Sequence, residues 1–198
     1  LSSSEMISKL LEHTPDSTSW FGDAATLRPL TLDALEMEMG AIIKRNSDDP
    51  KSAANLLRQV RRREVLRVAI GAVLHEISMQ EISEALSDIT DSYLFSMLEL
   101  AKLEVGFQMD FAIIAMGRLG GRELGFGSDA DAMLAYQDDS HNAQQVAEKI
   151  AAALLVLVRD PLMQFEIDLD LRPEGKNGPL VRSMASYRAY YEKWSDPW

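Results

Sequence analysis

The spacing of apolar positions changes near residue 106, and that change divides the chain. Upstream the spacing is helical. Met6, Ile7, Leu10 and Leu11 share one face of a short amphipathic helix over Ser2 to His13, with serines available as caps. Thr14-Pro15-Asp16-Ser17 breaks it, and Trp20-Phe21 and Leu27-Arg28-Pro29-Leu30 read as connections that pin aromatics and leucines to a core. Thr31 caps a second helix reaching about Arg45, with Asp33 favourably placed in its first turn, and Asn46-Ser47-Asp48-Asp49 closes it. Pro50 occupies a first helical position, and Leu56, Leu57, Val60, Val65, Val68 and Ala72 carry the pattern on to about Glu76. Ser78-Met-Gln-Glu81 is a capping box that opens a helix to about Glu104, whose buried side is Ile82, Leu86, Ile89, Tyr93, Leu94, Met97, Leu98 and Leu100. The first half therefore predicts an antiparallel helical domain over residues 1–105.

Beyond Gly106 short apolar runs replace the helical period. Phe111 to Met116 and Met133 to Tyr136 predict strands, and Asn142 to about Arg159 a helix ended by Asp160-Pro161. Phe165 to Arg172 alternates apolar and charged residues over its whole length. That pattern predicts a half-buried strand with Glu166, Asp168, Asp170 and Arg172 on its polar face. Pro173 to Pro179 is a loop, and Ser183 or Ser186 starts a last helix, Tyr187 to Trp194. The whole reads as α+β.

Composition narrows the function classes. The 198 residues are enough for one or two cored units, and the absence of cysteine fits a reducing compartment. No apolar run approaches the ~20 residues of a membrane span, and Leu1-Ser-Ser-Ser lacks the features of a signal peptide. The chain also lacks a start methionine, which suggests a piece of a longer protein. A formal net charge of −11 argues against a nucleic-acid partner. Arg58, Arg61, Arg62, Arg63 and Arg67 form a local basic segment. Its first reading is a solvated face paired with nearby acids, and its second a contact for an acidic partner or nucleotide phosphates.

The chemistry concentrates between Asp110 and Tyr136. Five glycines fall between Gly117 and Gly127, a density that no strand or helix interior would choose. Ser128-Asp129-Ala130-Asp131 follows, with two aspartates one residue apart and so on the same face of a strand. Like charges held that close need a cation or a proton. With one carboxylate from a neighbouring strand, they form the set of hard oxygen ligands that a two-magnesium phosphoryl- or nucleotidyl-transfer site needs. Neither the P-loop nor the Gly-x-Gly-x-x-Gly pattern occurs, and His13, His75 and His141 are too scattered for a triad or a zinc site.

The run Met116-Gly-Arg-Leu-Gly-Gly-Arg-Glu-Leu-Gly-Phe-Gly-Ser-Asp-Ala-Asp131, then Ile167-Asp-Leu-Asp-Leu-Arg-Pro173 and Gly178-Pro-Leu-Val181, closely resembles the glutamine synthetase adenylyltransferases. These are large bacterial enzymes with two nucleotidyltransferase domains of the DNA polymerase β superfamily. Arg61 to Arg67 also looks like the family's helical segment before each catalytic domain.

The resemblance implies a polymerase β-like catalytic domain over 106–182, after the helical domain and before a further helical region that starts at 183–198. It implies Asp129, Asp131 and Asp168 as catalytic carboxylates and ligands of two Mg²⁺ ions, with ATP as substrate. It implies Gly117, Arg118, Gly127, Ser128 and Arg172 as nucleotide-binding residues, with the Gly117 backbone on the triphosphate and Ser128 shaping the turn. Asp170 stands where many members have arginine. The Ser-Asp-Ala-Asp form, Asp168-Leu-Asp-Leu-Arg-Pro-Glu-Gly and Trp194-Ser-Asp-Pro-Trp198 look like the carboxy-terminal half of actinobacterial members. That half moves AMP from ATP to a tyrosine of glutamine synthetase in the cytoplasm, and a PII-type signal protein acts through the full-length enzyme. The alternatives are the deadenylylating half, which removes AMP by phosphorolysis, and an inactive regulatory module of the same fold.

Overall fold

The computed structural model describes residues 2–14, 17, 19, 20 and 24–194. The sequence expectations for Pro15-Asp16, Phe21 and Ser195 to Trp198 lie outside the described residues. The chain divides into two compact units: Leu1–Ser96 with Arg122–Ser128, and Met97–Gly121 with Asp129–Trp198. The division falls inside one long helix.

The first unit is helical. Helix α1 (Ser2–His13), α2 (Leu32–Arg45) and α3 (Pro50–Val73) precede α4 (Met79–Val105), in which the unit ends at Ser96. Their starts are capped as the residues require. The Thr31 hydroxyl accepts the Ala34 N–H, the Asp49 carboxylate accepts the Ser52 N–H, and Pro50 follows at the first helical position. The capping box forms both its bonds, Glu81 N–H to Ser78 Oγ at 3.2 Å and Ser78 N–H to Glu81 Oε2 at 2.7 Å. Helix α3 stops three residues short of the expected Glu76. His75 takes a left-handed φ of +58°, and the Glu76 N–H turns back to the Gly71 carbonyl at 2.9 Å.

The basic segment of α3 is not a solvated face. Glu64 is 1% exposed and accepts from Arg63 Nε at 2.6 Å and Arg67 Nε at 2.9 Å. Arg63 adds a two-pronged pair with Glu38 of α2, at 2.9 and 2.6 Å. Arg67 lies over the Trp20 ring and donates to the Thr26 carbonyl, while Arg61 lies over Tyr93. The arginines tie α3 to its neighbours, because a guanidinium can pair, stack and donate at once.

In the second unit a small mixed sheet is built around one strand. Strand β1 (Asp110–Ala115) pairs antiparallel with β2 (Ala130–Gln137), joined by the short helix α5 (Gly117–Gly120) and the glycine-rich segment. On the other edge of β2, β3 (Ile167–Asp168) pairs in parallel near its start, and β4 (Val181–Ser183) in parallel near its end. Helix α6 (Ala143–Leu157) makes the crossover from β2 to β3 that a parallel pair requires. Helix α7 (Met184–Trp194) closes the described chain, with the Ser183 hydroxyl capping it by accepting the Ser186 N–H at 3.1 Å. The mixed helix and sheet content makes the protein α+β.

Strand β2 is buried almost throughout, from Ala130 to Tyr136, which is why its sequence reads as an unbroken apolar run rather than an alternation. Tyr187 of α7 packs with Met133 and Ala135 and donates to the Leu134 carbonyl at 3.1 Å. The expected strand from Phe165 to Arg172 shrinks to two residues. The Arg172 N–H donates to the Leu169 carbonyl at 3.2 Å, so the chain turns immediately after Asp168. Phe165, Ile167 and Leu169 are buried as the alternation requires, but Leu171 is exposed.

Candidate metal centre

The site begins with register. In the parallel β2–β3 pair the partner of Asp131 is Asp168, so two carboxylates on different strands stand side by side. Asp129 lies two residues before Asp131 and so projects to the same side. One carboxylate oxygen from each of Asp129, Asp131 and Asp168 lies within 4.8 Å of the others. The anchoring is done by main-chain bonds on both edges: Met116 N–H to the Asp131 carbonyl at 2.9 Å, and Ala130 N–H to the Glu166 carbonyl at 3.2 Å.

Asp131 and Asp168 are half-buried and Asp129 is exposed, and Asp131 sits in a strand otherwise largely withdrawn from water. Burial first, then the charges of Asp129 and Asp168, hold its carboxyl above the ordinary carboxylate range. Asp168 Oδ1 accepts the Asp170 N–H at 2.7 Å, which fixes the orientation of that carboxylate. Three carboxylates this close form a donor set of hard oxygens that suits a hard divalent cation, and a cation would offset the repulsion that Asp131 records.

The glycine before the acids has a steric reason. Gly117 has φ +50°, and a Cβ built on it would lie 2.3 Å from Asp131 Oδ2. Only a residue without a side chain lets the β1–α5 turn approach that carboxylate. Gly120 is similarly confined, with a virtual Cβ 2.8 Å from the Ala115 carbonyl. The expectation that this stretch would avoid helix is corrected here. Gly120 N–H to Met116 O at 2.8 Å and Gly121 N–H to Gly117 O at 3.0 Å wind one helical turn, anchored by buried Leu119. The close approaches exclude a side chain at Gly117 and Gly120, while Arg118 and Leu119 complete the turn.

The other residues singled out in the sequence fall in different places. Arg118 is exposed on α5. Gly127 is exposed, and Ser128 shapes the turn before Asp129: its Oγ accepts the Gly125 N–H at 3.0 Å and its N–H donates to the Gly125 carbonyl at 3.1 Å. Arg172 is buried and bonded to main-chain carbonyls. Arg122 was not singled out. It takes a left-handed φ of +56° and bridges Asp88 and Asp91 of α4, the latter at 3.0 Å, which ties the glycine-rich segment to that helix. No local sequence signal marks a contact 31 residues away.

Fold and site together define an α+β protein with a clustered aspartate centre fitted to a hard divalent cation. The sequence model of the glutamate-ammonia ligase adenylyltransferase family matches residues 1–198, and the chain belongs to that family of transferases. It is 43% identical over its whole length to the bifunctional glutamine synthetase adenylyltransferase/adenylyl-removing enzyme of Leifsonia xyli subsp. xyli. Enzymes of the same name from Bifidobacterium longum subsp. infantis and Mycolicibacterium smegmatis are 37% and 35% identical, again over the whole chain. The chain spans about a fifth of the length of these relatives (20–21%). Among the described residues no helix is long and apolar enough to cross a membrane.

Proposed function

We propose that the second unit is a metal-dependent nucleotidyltransferase of the DNA polymerase β type, which moves AMP from ATP to a tyrosine of glutamine synthetase. The observation that carries this reading is the convergence of Asp129, Asp131 and Asp168 within 4.8 Å. It is supported by the antiparallel β1–β2 pair with β3 alongside, and by relatives whose names include the adenylyltransferase activity. The three aspartates would hold two Mg²⁺ ions, which when bound neutralise charge on the attacking and leaving oxygens of an in-line displacement.

The chain's own residues do the rest. Gly117 lets the main chain lie against Asp131, where its N–H would meet the nucleotide's phosphates, and Arg118 is the adjacent exposed cation. Asp168, with Oδ1 engaged by the Asp170 N–H, would accept the tyrosine proton on Oδ2 as the hydroxyl attacks the α-phosphorus and pyrophosphate leaves. The forward direction is favoured by the likeness of Asp168 to Gly175 to the carboxy-terminal half of such enzymes.

The test is an assay on purified glutamine synthetase, forward with labelled ATP and backward with phosphate. Label should appear on a tyrosine in the forward assay. Asp131→Asn should lower its incorporation by about 10³-fold or more, because several kcal/mol of charge stabilisation depend on the metal. Unchanged labelling in that variant would end the proposal, and activity in the phosphate direction alone would reverse its direction.

A further inference from the structure

The segment after the third carboxylate is closed by a buried arginine. Arg172 is 8% exposed. Its Nη1 donates to the Leu169 carbonyl at 2.6 Å and its Nε to the Gly178 carbonyl at 3.4 Å. One planar guanidinium thus joins both ends of a ten-residue loop, a task its fixed fork of donors suits. The same Nη1 lies 3.8 Å from Asp170 Oδ1. At the start of the loop, the Asp170 N–H donates to Asp168 Oδ1 at 2.7 Å. Hydrogen bonds therefore run from Gly178 through Arg172 to the Leu169–Asp170 main chain, and from there to the carboxylate of Asp168.

The far end of the loop is shaped to receive the arginine. A Cβ on Gly178 would lie 2.3 Å from the Pro173 carbonyl, so the main chain doubles back there with no room for a side chain. Arg182 of β4 holds Glu174, at the loop's left-handed turn, at 3.0 Å. An arginine that grips a substrate phosphate presents its donors to an open cleft. Here Nη1 and Nε are engaged by carbonyls of the arginine's own loop, and the guanidinium stays charged.

We propose that Arg172 is a positioning residue. It holds the Leu169–Asp170 main chain, and through the Asp170 N–H it holds the Asp168 carboxylate in the metal centre, without touching the nucleotide. The inference rests on the reading of Asp129, Asp131 and Asp168 as metal ligands. Groups that orient metal ligands in this way are worth about 10- to 100-fold in metal affinity.

The experiment is a titration of Mn²⁺ without nucleotide, read from the electron paramagnetic resonance signal of the free ion. It uses the intact chain, Arg172→Gln, Arg172→Lys and Gly178→Ala, with a thermal melt of each. Gly178→Ala disturbs the same clasp from its other end and removes no charge. Arg172→Gln and Gly178→Ala should each weaken Mn²⁺ binding by about tenfold or more while still melting cooperatively. Arg172→Lys should not restore it, because an ammonium has no fork to span two carbonyls. At saturating metal, kcat should fall with the ATP KM changed less than about twofold. Wild-type Mn²⁺ affinity in Arg172→Gln, with a raised ATP KM, would overturn the proposal in favour of a nucleotide contact. Should Arg172→Gln fail to fold, Gly178→Ala decides alone, and undiminished Mn²⁺ affinity in it overturns the proposal. Absence of Mn²⁺ binding by the unaltered chain would instead overturn the metal-site reading itself.

Discussion

At the scale of single residues, Gly117 and Asp131 form one unit of design. The carboxylate is pressed by burial and by two neighbouring aspartates, and the main chain at Gly117 comes against it at a φ of +50°. Gly117→Ala should therefore act twice. Strain at the left-handed position should cost about 1–2 kcal/mol of stability in a denaturant titration. Displacement of Asp131 Oδ2 should lower AMP transfer by about 10²-fold, since an ångström of misplacement has that effect. A variant as active as the parent would show that the turn yields without moving the carboxylate. The Asp-x-Asp pair was legible in the sequence because strand alternation alone puts both on one side. The crowding at Gly117 was not legible, because it depends on how β1 and β2 are paired.

At the scale of elements, helix caps are local and were readable. Thr31, Asp49-Pro50 and the Ser78–Glu81 box each act within four residues of their own position. The arginines of α3 pair with acids as expected, but the face is not solvated, because several partners come from elsewhere in the chain. Glu38 lies 25 residues before Arg63, and Thr26 lies 41 before Arg67. Glu64, at 1% exposure, holds Arg63 and Arg67 together. Glu64→Ala should leave two half-buried cations without this partner and lower stability by about 3 kcal/mol in chemical denaturation. A loss below about 1 kcal/mol would show that Glu38 and Trp20 suffice. Strand β4 escaped the sequence reading for a related reason. Three residues carry too short a pattern, and only the open edge of β2 makes them a strand.

At the scale of the whole molecule, the aspartate cluster links pH to stability. The Asp131 carboxyl is held above its ordinary value in the folded chain. A carboxyl with a raised folded value binds its proton more readily when folded, so its ionisation costs stability. That cost is fully present above the folded value and vanishes below the unfolded one. Asp131→Asn should accordingly raise the melting temperature of the metal-free protein at neutral pH. The gain should shrink as pH falls into the range just above that of an ordinary carboxylate. Mn²⁺ should stabilise the unaltered chain by about 2.7 kcal/mol at a hundred times its Kd, and Asp131→Asn should not respond. A gain from Asp131→Asn that grows on acidification would contradict the assigned shift.

The sequence by itself determined the long helices, the two central strands and the pairing of Asp129 with Asp131 on one face. Those features rest on local signals: periodicity, capping residues and the side-chain alternation of an extended chain. Tertiary structure alone decided that Asp168 stands opposite Asp131, that the expected eight-residue strand stops at Asp168, and that Arg172 turns inward to Leu169 and Gly178. The physical reason is that a parallel pair has its register set by a crossover helix and by the burial of Ala130, Ile167 and Leu169, residues far apart in the chain. Alternation could say which residues share a face. Packing had to say how far the strand runs and what meets it there.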